Sequence, residues 1–337
     1  MINKIQLDNF GPLSKINWAA LGKINLVIGG NGSGKTFLLK AIYSSLRTLE
    51  EYKRGNEQRS ASEILADKLY WTFQAEKIGD LVSKGADAPL SSLLTFDNNN
   101  FSYSFGKDTS KQISNLENRV PPRANNSIFL PPKEVLSLQH LIIKSRYPDK
   151  LFGFDDTYYD LAQALLLPTT KGRNYEEFAK SRRKLEDVLG GVVEYDEVSK
   201  SWVFIKGRHK FPIGVTAEGI KKIAILDTLL GNRYLDTNSV VLIDEPESAL
   251  HPTAISQLLD IVAMLAERGI QFFMASHSYF VVKKLFLIAQ ERGWSIPVIS
   301  ATDTGWVCDD LKDGMPDNPI IAESIRLYQQ EVELALK

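Results

Sequence analysis

Near the amino terminus the chain reads Gly29-Gly30-Asn31-Gly32-Ser33-Gly34-Lys35-Thr36, the pattern G-x-x-x-x-G-K-T. Glycines at this spacing let the backbone N–H groups of Gly29, Asn31, Gly32, Ser33 and Gly34 turn inward around phosphate oxygens, and the helix start that follows adds partial positive charge. Lys35 contributes a full charge, and Thr36 a hydroxyl that can ligate Mg²⁺. Far downstream, the apolar run Val240-Val241-Leu242-Ile243 ends in Asp244-Glu245. Asp244, at the end of that run, can reach a metal directly or through water. Glu245 points elsewhere and is the candidate base for an attacking water. The two motifs together describe a nucleoside triphosphate held with Mg²⁺ and a γ-phosphoryl group transferred to water.

Such groups need strands and helices to place them, and the flanking patterns provide both. Ile24-Asn25-Leu26-Val27-Ile28 reads as a buried strand running into the glycine-rich loop, and Leu38, Leu39, Ile42 and Leu46 recur at helical spacing beyond it. Phe272-Phe273-Met274-Ala275 is a second apolar strand, ending in Ser276-His277-Ser278. Val192-Val193-Glu194-Tyr195, Trp202-Val203-Phe204-Ile205 and Lys210-Phe211-Pro212-Ile213 read as a meander. Ile296 to Ile299 and Thr304 to Val307 read as closing strands, and a last helix runs from about Pro319 to Leu336.

Asp244-Glu245-Pro246-Glu247-Ser248-Ala249-Leu250-His251-Pro252, followed by Ala275-Ser276-His277-Ser278, resembles the ATP-binding-cassette ATPases. Within them it is most similar to the soluble branch of SMC, RecF and OLD-type ATPases. The resemblance implies ATP as the nucleotide, with ATP hydrolysis as the activity. It implies an α/β fold: a P-loop head with a mixed sheet, an antiparallel β region at the amino terminus and an inserted α+β lobe. It also implies that Ser248 to Pro252 contact an opposite subunit and that His277 senses the γ-phosphate, joining Glu245 and Lys35 as catalytic groups.

The segment Gly214-Val215-Thr216-Ala217-Glu218-Gly219-Ile220-Lys221-Lys222 departs from the L-S-G-G-Q signature of transporter cassettes and resembles the S-x-E-G form of the soluble branch, with Thr216 where serine is common. A hydroxyl and a glycine N–H at a helix start bind a phosphate oxygen or cap the helix. Thr216, Glu218 and Gly219 therefore read as a cap over a partner's ATP, as an ordinary helix start, or as both. The family also carries a glutamine that links Mg²⁺ to the inserted lobe. Ile128 to Gln139 fits its position, with Gln139 or Glu134 in the role, or with a plain turn into a helix. Asn9-Phe10-Gly11-Pro12-Leu13 resembles the family's first turn, with Phe10 either against adenine or in the core.

Composition narrows the classes. A chain of 337 residues, 44% hydrophobic, can bury a full α/β core in one or two domains. A single cysteine, Cys308, excludes an internal disulfide and fits a reducing compartment. No apolar run approaches membrane-spanning length, so the expectation is a soluble, cytoplasmic protein without membrane contact. Forty basic residues against 41 acidic leave a net charge of −1, and no global field draws the chain to nucleic acid. The densest basic run, Lys180-Ser181-Arg182-Arg183-Lys184, falls on a helix beginning near Glu176 and is offset at once by Glu186 and Asp187; it reads first as a solvated helix face.

The expected organisation is a split head, residues 1–45 and 190–310, with 46–189 as the inserted lobe and 311–337 as a carboxy-terminal helix. The insertion decides between relatives. An SMC coiled coil demands sustained heptads, whereas this stretch is broken by the Arg54–Ser60 loop, the Asp97–Asn100 turn, Pro148 and Pro168. OLD-type nucleases continue into a further metal-binding nuclease domain with clustered acids, and the expectation is that none fits in the space left after the histidine strand. The expectation is a stand-alone ATPase subunit forming a nucleotide-sandwiched homodimer or higher homo-oligomer that acts on a separate effector protein. Relatives of this short form work in antiphage defence, an analogy of family alone. Two other readings stand beside it, a RecF-type DNA-repair ATPase and a non-hydrolysing scaffold locked by ATP. Lys35, Asp244 and Glu245 weigh against the scaffold, which has no need of a base.

Overall fold

A strand wetted on one face alternates apolar and polar residues, whereas a strand buried on both faces is apolar throughout. Both kinds occur in the computed structural model, which describes residues 1–168 and 178–336. The alternating kind begins the chain: β1 (Ile2–Phe10) and β2 (Leu13–Trp18) form an antiparallel hairpin. The five residues of β3 (Ile24–Ile28) are all buried, and α1 (Lys35–Glu51) follows the glycine-rich loop. After α2 (Ala61–Phe73), β4 (Leu90–Phe96), β5 (Asn99–Phe105) and β6 (Asn115–Asn118) extend the hairpin into a five-stranded antiparallel sheet of order β2-β1-β4-β5-β6. Then β7 (Ser127–Leu130), buried at every position, takes the edge of the core sheet.

Residues 46–130, which fall within the expected lobe 46–189, thus share both sheets with residues 1–45. A boundary at residue 46 cuts through α1 and separates β1 from β4, with which it pairs from Ile2 to Asp8. Pairing between strands distant in sequence leaves no mark in the local pattern, which records only the face each residue takes.

The segment beyond β7 is mainly helical: α3 (Gln139–Arg146), α4 (Asp156–Ala164) and α5 (Ala179–Leu189). The expected start of α5 near Glu176 lies outside the described residues. Within the basic run of α5, Ser181 is buried and the Arg182 guanidinium grips Asp227 at 2.7 and 3.1 Å, so part of that run holds the fold together. The expected meander forms a three-stranded antiparallel sheet from β8 (Val192–Asp196), β9 (Ser201–Lys206) and β10 (His209–Pro212).

The chain then returns to the core through α6 (Glu218–Gly231), β11 (Val240–Asp244), α7 (Pro252–Glu267), β12 (Gln271–Ser276), α8 (Tyr279–Arg292), β13 (Pro297–Thr302) and β14 (Gly305–Asp310), with α9 (Pro319–Ala335) last. The core sheet runs β14-β13-β3-β12-β11-β7, all parallel except β14. Alternate residues feed two cores. Ile24, Leu26 and Ile28 pack with α6, α7 and α8, while Val27 packs with α1 and the five-stranded sheet. The expected mixed sheet with antiparallel additions is therefore present. No helix among the described residues is long and apolar enough to cross a membrane.

Buried charge fastens α4 to the helix that begins at the glycine-rich loop. Lys40 meets Asp155 at 2.6 Å, Arg47 meets Asp160 at 3.1 Å, and Lys68 on α2 lies 3.4 Å from both Asp156 and Asp160. Burial pushes the Asp156 carboxyl up to about 6, against the pull of Lys68. Asp160 is equally deep, yet Lys68 and Arg47 outweigh its burial and hold it below the usual range. Buried pairs of this kind add little net stability, but removing one partner strands the other. They fix where α4 sits relative to α1.

Candidate nucleotide site

The carboxyl ends of β3, β11 and β12 meet on one edge of the sheet, the place where α/β folds bind ligands. The loop after β3 carries the predicted phosphate residues. Gly30, Asn31 and Gly32 are exposed, and Ser33 and Gly34 are half-buried. The Lys35 ammonium donates to the carbonyls of Gly29 at 2.8 Å and Gly30 at 2.9 Å, closing the loop on itself. Burial lowers its pKa, while Asp244, Glu245 and Glu247 pull the other way. Gly34 has φ of +93°, and a side chain there would meet Leu13 at 2.9 Å and Pro12 at 3.2 Å; only glycine fits between the loop and the first turn. Ser33 Oγ is buried without a partner, a donor free for a ligand oxygen.

Thr36 Oγ1 donates to Asp244 Oδ2 at 2.8 Å, joining the loop to the end of β11. Asp244 Oδ1 is buried and unpartnered. Burial raises this carboxyl above its ordinary range, opposed by the Thr36 hydroxyl. A hydroxyl and a carboxylate side by side, with one carboxylate oxygen unsatisfied, suit Mg²⁺, which takes one or two protein oxygens and completes its shell with phosphates and water. A dry site that penalises the bare carboxylate is relieved by a cation.

Glu245 lies in the left-handed region at φ +50°, unusual for a residue with a side chain. Its N–H donates to Ala275 O at 2.9 Å, which ties the turn to β12, and its carbonyl accepts from Ser248 N at 3.0 Å. The turn sends consecutive carboxylates in different directions: Asp244 toward Thr36, Glu245 toward His277, whose Nδ1 lies 3.6 Å from Glu245 Oε1. Lys35, Thr36, Asp244, Glu245 and His277 are thus gathered at one edge.

The signature residues are not gathered with them. Thr216 Oγ1 reaches only the Pro212 carbonyl, at 3.3 Å, and the amino-terminal cap of α6 is Ala217 rather than Thr216, with no side-chain bond. Glu218 is half-exposed and pairs with Lys221 at 2.7 Å. Gly219 is buried against the loop after Glu245, where a Cβ would meet Leu250 at 2.7 Å and the Ala249 carbonyl at 3.0 Å. Ser248 has no side-chain bond and borders a cavity of about 330 Å³ with Glu134, Glu218 and Lys222. His251 caps α7 by accepting from Thr253 N at 3.3 Å, with Pro252 in the first turn.

Of the two candidates for the lobe-linking residue, Gln139 is buried, with both ends of its amide engaged. Its amide donates to the Ala162 carbonyl at 2.8 Å and accepts from Trp202 Nε1 at 2.7 Å. Glu134 instead meets Lys221 at 3.4 Å beside the signature helix. Phe10 is fully buried against Phe37 and Phe73 and so belongs to the core. Two cavities of about 610 Å³ each border the three-stranded sheet and share no residue with the phosphate loop. The phosphate loop lies apart from them and open to solvent at Gly30, Asn31 and Gly32.

Two groups escaped the sequence reading. Lys222 donates to the Glu245 carbonyl and links α6 to the acid turn. Burial lowers its ammonium to about 8, against Glu247, Asp244 and Glu245. A lysine on the buried face of an otherwise apolar helix was the available signal. The other group is Glu247.

A phosphate loop, a hydroxyl–carboxylate pair and a second acid on a mixed sheet of this order define a P-loop ATPase of the ATP-binding-cassette type. Residues 24–283 match the family described as "AAA domain, putative AbiEii toxin, Type IV TA system", and the chain belongs to that family. Solved structures share the fold. An SMC head bound to the C-winged helix domain of ScpA aligns with a TM-score of 0.55 at 14% identity, over 92% of this chain and 97% of that one. The SMC head with an extended coiled coil, bound to the carboxy-terminal domain of ScpA derived from Pyrococcus furiosus, aligns at 0.52 with 14% identity, over 96% and 99%. In sequence, 74 residues are 34% identical to the DNA double-strand break repair Rad50 ATPase of Nanoarchaeum equitans (strain Kin4-M). That stretch is 20% of this chain and 9% of that protein.

Proposed function

We propose that the protein is an ATP-driven switch in which two copies close around two ATP molecules and separate on hydrolysis. The observation that carries this reading is the divided site: the phosphate loop, Asp244, Glu245 and His277 share one edge, while Thr216, at the start of α6, bonds only its own turn. A hydroxyl and helix start left open suit phosphate oxygens supplied by another copy.

In this reading the loop N–H groups and Lys35 hold the β- and γ-phosphates, and Thr36 and Asp244 hold Mg²⁺. The ion, when bound, neutralises charge on the phosphate oxygens. Glu245 takes the proton of the attacking water, and His277 stands at the γ-phosphate side. Thr216, the Gly219 N–H and Ser248 meet the nucleotide of the opposite copy. ATP then favours the closed pair and ADP the open one, and the difference in affinity between the two states drives the switch. A separate effector receives the motion. The SMC heads solved with ScpA domains support a partner of that general kind, and a role in antiphage defence is carried by family analogy alone.

ATP turnover measured alongside solution mass tests the proposal. Glu245→Gln is expected to lose about 10²- to 10⁴-fold in kcat, the range for a general base, and to accumulate an ATP-dependent dimer. Normal turnover in Glu245→Gln removes the assignment of the base. Assembly on ATP without turnover in the wild type replaces the switch with a scaffold.

A further inference from the structure

The turn after β11 holds a third acid, Glu247, to which neither the motif reading nor the proposed mechanism assigns a role. Its side chain is 11% exposed. Oε1 accepts from Ser276 Oγ at 2.9 Å and from the His277 backbone N–H at 3.1 Å, and lies 3.6 Å from His277 Nδ1. Glu245 Oε1 lies 3.6 Å from that same nitrogen. The imidazole edge therefore faces two carboxylates, one from each side of Pro246.

A carboxylate that merely tied off the end of β12 would need Ser276 and the His277 N–H and nothing more. Glu247 goes further, because the oxygen that grips the backbone of His277 also faces its ring. Nδ1 is the ring nitrogen that lies beside both carboxylates, 3.6 Å from each, and Nε2 is at the opposite edge of the ring. A residue on an exposed strand end is otherwise free to rotate about χ1, and His277 is exposed. Glu247 Oε1 fixes the His277 backbone at 3.1 Å and lies beside its ring at 3.6 Å, a contact that favours the rotamer facing it.

We propose that Glu247 is a positioning residue for hydrolysis, holding His277 so that Nδ1 faces Glu245 and Nε2 faces the nucleotide. The inference rests on the reading of Glu245 as base and His277 as the γ-phosphate contact. Glu247 acts through His277 and touches no reacting atom. One residue, Pro246, separates it from the base, and the turn that starts at Glu245 brings both carboxylates to the same imidazole.

The test compares steady-state ATP hydrolysis and binding of a fluorescent ATP analogue in wild type, Glu247→Ala, Glu247→Gln, His277→Ala and the Glu247→Ala/His277→Ala double variant. Glu247→Ala is expected to lose about 10- to 100-fold in kcat, within the scale of a misplaced catalytic group, with KM and analogue affinity within about twofold of wild type. Glu247→Gln keeps the Oε1 acceptor and is expected within about threefold of wild-type kcat. The double variant is expected to be no slower than His277→Ala alone, as for residues acting as one unit. Wild-type kcat in Glu247→Ala beside a slow His277→Ala overturns the proposal and leaves the site reading intact. So does a Gln variant as slow as Ala, or losses that multiply in the double variant. A His277→Ala protein at wild-type kcat removes the reading of His277 and the proposal together. Should Glu247→Ala fail to fold, Glu247→Asp, one methylene short of Ser276 and His277, takes its place with the same expectations.

Discussion

The phosphate-loop half of the site and the signature half are built to different standards. On the first, most groups are already held: Lys35 by the Gly29 and Gly30 carbonyls, Thr36 by Asp244, the Glu245 backbone by Ala275, the His277 backbone by Glu247. On the second, Val215 is 76% exposed, Thr216 has one long bond to its own turn, and the cap of α6 makes no side-chain bond. A preorganised half binds nucleotide without paying to order itself. In the proposed pair, the loose half would gain its order when the other copy docks on it, which would make nucleotide and partner mutually dependent. The halves meet at two contacts, Lys222 on the Glu245 carbonyl and Gly219 on the loop at Ala249 and Leu250.

Removing the first contact carries the largest expected effect. The Lys222 ammonium sits at about 8 in the fold against an ordinary 10.5, chiefly through burial. The folded value is the lower one, so the stability this group contributes is present above about 10.5 and is lost as pH falls through about 8. The difference amounts to about 3 kcal/mol at one pH unit per 1.36 kcal/mol. Lys222→Met keeps the length and removes the charge. Relative to it, the wild type is expected to gain about 3 kcal/mol between pH 8 and 10.5, and at pH 7 the variant is the more stable but hydrolyses ATP more slowly. Denaturant unfolding of both proteins across that range checks this, and curves that stay parallel reject it.

How much of this was legible in the sequence depends on what fixes each feature. The phosphate loop, β3, β11, β12 and the meander announce themselves because motif spacing and apolar runs are local. The capping box of Ser60 and Glu63 on α2 was equally local and could have been read. Sheet partners were not legible, because the pairing of β1 with β4 depends on chain reversal over a long distance. The same is true of the site's cross-contacts. Gln139 matched the family's position, yet Trp202 and Ala162 consume its amide, and nothing near Gln139 in sequence reveals either. Glu247 reaches His277 only because β11 and β12 run parallel as neighbours, in register at Asp244 and Ala275.

The second contact is the close approach of Gly219 to the loop at Ala249 and Leu250. A methyl group at position 219 meets Leu250 at 2.7 Å, which the leucine can yield, and the Ala249 carbonyl at 3.0 Å, which is backbone and cannot yield as easily. Against that stands a gain of at most about 1 kcal/mol from replacing a helical glycine. Gly219→Ala is expected to be destabilised by about 1 to 2 kcal/mol, in the lower part of the range for overpacking. Thermal unfolding reads it. A variant as stable as wild type would mean that α6 and the loop at Ala249 slide past one another freely.

The smallest expected effect separates the halves most cleanly. Thr216 packs against nothing that the fold needs, so Thr216→Val is expected to unfold within about 0.5 kcal/mol of wild type, as for surface substitutions. If its hydroxyl meets the phosphate of another copy, the loss appears only on assembly, as an ATP-dependent association several-fold weaker, about 1 kcal/mol for a hydrogen bond. Mixing gives the sharper reading. A Lys35→Ala chain lacks the loop's charge and a Thr216→Val chain lacks the opposing hydroxyl. Sites formed across two copies leave both defects in one of the two sites of a mixed pair, and the other site intact. Turnover in the mixture should then exceed that of either variant alone. If Thr216 served the nucleotide of its own chain, a mixed pair would carry one defect in each site, and mixing would restore nothing.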